Sequence, residues 1–234
     1  MTTRTQPDST TSAYPRRWLA LALLGTAQFM LILDVTVVAI ALPQMEADLA
    51  LSREALTWVV AAYTVTFGGL MLLGGRSADL FGAKRIVYSG LLTFVAGSLA
   101  AGFADSGTVL LAGRIAQGIG AAMLSPAALS VVVRLFEGDE RNRALGIWSA
   151  LGGGGAAVGV LLGGLITAGP GWPWVFFINV PVGAIVLIGL LRVLPPLPPQ
   201  PGARARLDVL GAVLVTGATG LAIYALTVAG EIGW

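Results

Sequence analysis

Residues 18–42 read WLALALLGTAQFMLILDVTVVAIAL, and Asp34 is the one ionisable side chain among them. A helix of about 20 apolar residues spans the hydrocarbon core of a bilayer, so this run crosses a membrane with residues to spare. A cleavable signal peptide has an apolar region of only about 7–15 residues, which this stretch exceeds. Arg16-Arg17 in front of it therefore read as an anchor at the cytoplasmic face rather than as a twin-arginine export signal. The Thr- and Ser-rich residues before them, within 1–16, read as a disordered cytoplasmic tail.

The same pattern recurs along the chain. Apolar stretches at 57–75, 86–104, 108–134, 144–168, 175–194 and 209–229 are each about the length of a span. Charge is scarce throughout: 11% of the 234 residues are Asp, Glu, Lys or Arg, against about 25% in soluble domains. The fold class expected is all-α and membrane-embedded, a six-helix bundle over 17–194 followed by one additional transmembrane helix over 208–234, where the sequence stops early. Between them, 195–207 is a proline-rich cytoplasmic linker carrying Arg204 and Arg206, stiff and solvated.

The basic residues orient the bundle. With the N-terminus in the cytoplasm, Arg4, Arg16, Arg17, Arg76, Lys84, Arg85, Arg134, Arg141, Arg143, Arg192, Arg204 and Arg206 all fall on the cytoplasmic side. That is twelve of the 14 Lys and Arg residues, with Arg53 outside and Arg114 within the fourth span. The positive-inside rule then predicts a multi-pass protein of the cytoplasmic membrane. One helix more or fewer would scramble the alternation.

Composition also excludes chemistry. The chain has no cysteine and no histidine, which removes disulfides, thiolate nucleophiles and the usual zinc ligands. No metal site, cofactor or enzymatic activity is expected, and nothing reads as a nucleic-acid footprint. A seven-helix receptor would match the number of spans but gives no reason for the Asp79 segment or the glycine-rich fifth span.

Two ionisable groups lie inside apolar spans, where a charge costs at least about 2.5–3.5 kcal/mol. Asp34 has too short a stem to reach either interface, so it is a functional candidate. Burial disfavours a charged carboxylate, and a carboxyl that gains and loses a proton is what proton-coupled transport needs. Arg114, in Arg114-Ile-Ala-Gln117-Gly118-Ile-Gly120, either snorkels to the nearby extracellular interface or faces the bundle interior. Glycines crowd the fifth span at Gly155, Gly159, Gly163 and Gly164, a spacing that permits close helix packing or, equally, bending. Between the second and third spans, Gly74-Gly75 read as a tight turn, with Asp79 available to cap a helix or pair with an arginine.

Taken together, these segments resemble the major facilitator superfamily, specifically the drug:proton antiporters of its fourteen-helix branch. Gly75-x-x-Ala78-Asp79-x-x-Gly82-x-Lys84, with Arg85 following, looks like the family's signature between helices two and three. Leu33-Asp34-Val-Thr36 through Pro43 looks like its first-helix motif, and Arg114-x-x-Gln117-Gly118-x-Gly120 its fourth-helix motif. Trp174 to Gly183, with Asn179 and Pro181 inside, is similar to the entry into helix six. The resemblance implies a multidrug-type exporter that exchanges small amphipathic molecules for protons. Asp34, Arg114 and Gln117 would serve proton coupling and the substrate cavity. Gly75, Asp79, Gly82, Lys84 and Arg85 would form a cytoplasmic gating segment, and Gly155, Gly159, Gly163 and Gly164 would let helix five bend.

Two departures keep alternatives open. Val160 stands where the antiporter pattern has a proline, so a nutrient symporter or uniporter of the same superfamily remains a reading. Substrate sites in this fold lie between two halves. The chain offers one half, which points to a second half-transporter as partner, or to a truncated membrane fragment without transport activity.

Overall fold

A computed structural model describes residues 14–197 and 207–232. Those residues form α1 (Arg17–Leu49), α2 (Arg53–Phe81), α3 (Ala83–Gly102), α4 (Gly107–Leu135), α5 (Gly138–Ala168), α6 (Trp174–Phe177), α7 (Asn179–Val193) and α8 (Val209–Ile232). Helices α1 to α5 and the stretch Trp174–Val193, made of α6 and α7, are long and apolar enough to cross a membrane. Each expected span falls on a helix, and most run further than the apolar stretch alone, although α3 ends at Gly102 and α7 at Val193, just short of the expected bounds. Most of the expected tail (residues 1–13), most of the proline-rich linker (198–206) and the last two residues lie outside the described segments.

Local chemistry sets the helix ends. Ser52 caps α2, its hydroxyl accepting from the Ala55 amide at 3.1 Å, and Glu54 adds an acid in the first turn, where the helix dipole favours it. Ala50 closes α1 in the left-handed region (φ 48°), turning the chain within three residues into α2. Pro181 sits in the first turn of α7, where its missing N–H has no intrahelical partner to lose.

The link from α2 to α3 differs from the expected glycine turn at Gly74-Gly75. Helix α2 continues through both glycines to Phe81, and Gly82 alone (φ 94°) makes the reversal. A residue without a Cβ is required only where φ is positive. Gly74 instead faces α4, where an added Cβ would land on the Ala122 carbonyl, and Gly75 lies opposite Pro126. These two positions serve helix contact.

Helix α4 is the most enclosed span, with 61% of its apolar window buried, against 17% for α5 and 22% for α2. Its seat on α3 is a glycine interlock. A Cβ on Gly90 would stand 2.7 Å from the Leu124 nitrogen, and one on Gly97 2.7 Å from the Gln117 nitrogen. From the other side, a Cβ on Gly113 would stand 2.8 Å from the Ala101 nitrogen, and one on Gly120 would run into the Phe94 amide. Backbones touch directly, as small residues allow in lipid, where van der Waals packing replaces hydrophobic association.

Helix α5 runs beside α1 by the same means. Gly155, Gly159 and Gly163 lie against Ile32, Thr36 and Ile40, where added Cβ atoms would come within 2.9, 2.7 and 3.0 Å of those side chains. Gly164 faces open space, and α5 is one continuous helix. The seam is pinned at both ends. Arg17 donates from Nε and Nη2 to the two carboxylate oxygens of Glu140, each at 2.8 Å. At the far end Gln44 Nε2 donates to the Thr167 carbonyl at 2.7 Å and Trp172 Nε1 to Asp48 at 2.9 Å. Large apolar side chains such as Leu72 of α2 and Leu161 and Leu165 of α5 point outward from the bundle.

Candidate functional site

The bundle converges on a buried polar cluster. Asp34 comes from α1, Arg114 and Gln117 from α4, Ser98 from α3 and Asn179 from the first turn of α7. Asp34, Arg114, Gln117 and Ser98 are fully enclosed and Asn179 is 1% exposed. Residues three apart lie on one helical face, so α4 presents Arg114 and Gln117 together. The glycine interlock brings that face against Ser98 of α3.

The contacts close on one another. Arg114 Nη1 donates to Asp34 Oδ2 at 2.5 Å and to Gln117 Oε1 at 2.8 Å, while its Nε donates to the Val59 carbonyl of α2 at 3.0 Å. Gln117 Nε2 donates to Asp34 Oδ1 at 2.9 Å and to Ser98 Oγ at 2.8 Å. Asn179 Nδ2 repeats the pair, to Asp34 Oδ1 and Ser98 Oγ, both at 3.2 Å. The guanidinium lies 4.5 Å above the Tyr63 ring and 5.9 Å from that of Phe176, within cation–π range. Tyr63 in turn donates to the Leu31 carbonyl at 3.3 Å, one turn from Asp34.

Three elements beyond α1 and α4 thus hold the ion pair. Desolvation of two charges is offset only where geometry and further hydrogen bonds satisfy both partners. Here Asp34 accepts three bonds and donates none, which suits an ionised carboxylate. Arg114 does not snorkel to an interface.

Asp34, Arg114 and Gln117, singled out in the sequence, meet in space. Ser98 and Tyr63 gave no sequence signal, because a serine or tyrosine in an apolar helix is commonplace. Asn179 was visible only as part of a motif, yet a carboxamide after the run Trp174–Ile178 is polar enough to have been questioned. Among the described residues no group of His, Cys, Asp or Glu could hold a metal.

The second predicted cluster lies at the arginine-rich end. Asp79 pairs with Arg76 one turn earlier in α2 at 3.7 Å, a half-exposed pair worth less than about 1 kcal/mol. Arg85 is exposed. Lys84 turns away from both and donates to the Leu194 carbonyl at 2.6 Å, with its ammonium 5.9 Å from the Tyr88 ring. Tyr88 donates to the Leu190 carbonyl (3.0 Å), Tyr14 to that of Val193 (2.5 Å) and Arg16 to that of Arg192 (3.3 Å). The Leu190 carbonyl also accepts from the Leu194 N–H at 2.9 Å, while Pro195 has no N–H to offer, and side chains from two other segments cap this end of the helix. Lys84→Met keeps the apolar stem and removes this cap. It should lower the unfolding free energy by about 1 kcal/mol, read as an earlier thermal midpoint in detergent.

Comparison with known proteins agrees with this architecture. The family model described as Major Facilitator Superfamily matches residues 24–230. The chain is 47% identical over 222 residues to the puromycin resistance protein of Streptomyces alboniger, covering 94% of this chain and 43% of that protein. It is 43% identical over 216 residues to a cephamycin export protein of Amycolatopsis lactamdurans, covering 92% of this chain and 44% of the relative. It therefore spans less than half the length of these relatives. Among solved structures, a peptide transporter crystallised with sulfate superposes with a TM-score of 0.67 at 20% identity, over 92% of this chain and 47% of that one. That likeness concerns the fold. With six helices among the described residues long and apolar enough to cross a membrane, a buried ion pair and a family match over most of its length, this multi-pass membrane chain belongs to the Major Facilitator Superfamily.

Proposed function

We propose that this chain is the N-terminal half of a transporter that exports small amphipathic compounds in exchange for protons, with its N-terminus in the cytoplasm. The observation that carries the reading is the Asp34–Arg114 ion pair, whose two side chains are fully buried in the bundle. A carboxylate held this way has two stable partners: the guanidinium when ionised, or a proton. A proton on Asp34 releases Arg114, and a substrate that competes for either group couples its own movement to that proton. The names of the relatives, antibiotic resistance and export, favour outward drug transport over nutrient uptake.

A second half, facing the weakly buried α2 and α5, completes the cavity and allows the bundle to rock between two openings. The glycine seam between α1 and α5 provides a surface along which helices slide. In this reading the segment Gly75–Arg85, with the reversal at Gly82 and Asp79 near the end of α2, gates the cytoplasmic side against that second half.

The test uses membrane vesicles carrying the chain together with its second half. An imposed proton gradient should drive efflux of a fluorescent amphipathic cation, and Asp34→Asn should abolish gradient-driven movement while leaving downhill exchange. Gradient-driven efflux equal to that of the unaltered protein would remove Asp34 from the coupling role.

A further inference from the structure

Asp34 Oδ1 and Ser98 Oγ are bridged twice, once by the amide group of Gln117 and once by that of Asn179. Every hydrogen bond reaching the carboxylate points inward: one from Arg114, one from Gln117 and one from Asn179. In this arrangement the shell suits the ionised acid and offers no acceptor for the O–H of the neutral one. A protonated carboxyl carries an O–H that needs an acceptor, and leaving it unmade in a buried site is expensive.

The two carboxamides are not equally free to supply that acceptor. Gln117 cannot turn, because its Oε1 already accepts from Arg114 Nη1 at 2.8 Å, and rotation would put an NH2 group against the guanidinium. Asn179 touches no charge except Asp34. Rotating its amide by half a turn directs its oxygen at both Asp34 Oδ1 and Ser98 Oγ. The serine can follow, because its hydroxyl hydrogen is held only by a bond to the Phe94 carbonyl one turn back (3.0 Å), and that carbonyl already belongs to the helix ladder.

We infer that Asn179, aided by Ser98, is the positioning residue that lets this site hold Asp34 in either protonation state. A proton taken from water binds Oδ1, the bond from Asn179 Nδ2 breaks, the amide turns over, and the new O–H donates to Asn179 Oδ1. The Ser98 hydroxyl swings from the Phe94 carbonyl to that same oxygen. No bond between heavy atoms changes, and one proton is gained. Other titratable groups near Asp34 are Arg114 of α4 and Tyr63 of α2. Residues 89–102 of α3, 144–168 of α5 and 174–191 of α6 and α7 contain none. This inference rests on the proposed proton-carrying role of Asp34.

The chain has two asparagines, Asn142 and Asn179, so 15N-asparagine labelling in lipid nanodiscs gives two side-chain amide signals. The variant Asn142→Gln identifies which belongs to Asn179. Across a pH series, protonation of Asp34 is followed by the infrared carboxyl stretch that Asp34→Asn removes. The Asn179 signal should move with the same midpoint as that stretch, and should stay fixed in Asp34→Asn. In Asn179→Leu the stretch should shift to higher wavenumber, because the O–H has lost its acceptor. An Asn179 signal that stays put while Asp34 titrates overturns this inference and leaves the proton-carrying role intact. An Asp34 that takes up no proton wherever the chain stays folded overturns both. The amide readout uses the unaltered Asn179, so it does not depend on the leucine variant folding.

Discussion

Arg114→Met should cost about 3–5 kcal/mol of folding stability, because it leaves the Asp34 carboxylate buried with no compensating charge. Methionine fills much of the aliphatic volume, so the loss comes from charge and hydrogen bonding rather than from a large cavity. Four contacts disappear together: the ion pair to Asp34, the bonds to Gln117 and the Val59 carbonyl, and the stacking on Tyr63. The check is a double-mutant cycle with Asp34→Asn, following the chain's six tryptophans during unfolding in mixed micelles. Asp34→Asn alone should also destabilise, because it strands the guanidinium. The double variant should recover much of the loss, with a coupling of up to about 3 kcal/mol. Additive losses would mean that the two charges do not depend on one another, and the site would then need another account.

The ion pair shows how far the sequence could be read. Asp34 and Arg114 were conspicuous because an apolar span gives a charge nowhere to go, and each made the other more intelligible. Their pairing was not legible, because α1 and α4 are 80 residues apart at the point of contact and only packing decides which faces meet. Ser98 illustrates the limit: it is an ordinary small residue, and its importance comes from where the glycines of α3 and α4 let the helices approach. The spans themselves were plain from apolar runs. Their ends were not, since α2 continues through Gly74 and Gly75, residues that suggest a turn when read locally. In lipid a helix tolerates glycine well, because an unpaired backbone group costs more there than the entropy that glycine gives up. Only Gly82, with positive φ, breaks the run.

The glycine interlock leads to the other large effect. Gly120→Val should separate α3 from α4, because its Cβ would run into the Phe94 amide, which belongs to a helix ladder and cannot turn aside as a side chain would. Overpacking of this kind costs about 1–3 kcal/mol where neighbours can shift, and here the neighbour is backbone. Separation would also draw Ser98 away from Gln117, so the damage should reach the polar cluster several residues away. Two readings follow: folded yield and thermal midpoint should fall sharply, and the proposed gradient-driven efflux, measured with the second half present, should fall further than folded yield alone explains. Gly152→Val is the control, since nothing lies within 4 Å of its Cβ position. It carries the same change in helix propensity without the collision, and its cost should stay below about 1 kcal/mol. Equal losses from the two variants would show that glycine serves α4 through flexibility rather than close approach. A loss confined to Gly120→Val ties the geometry of Asp34, Gln117 and Ser98 to the seam that brings their helices together.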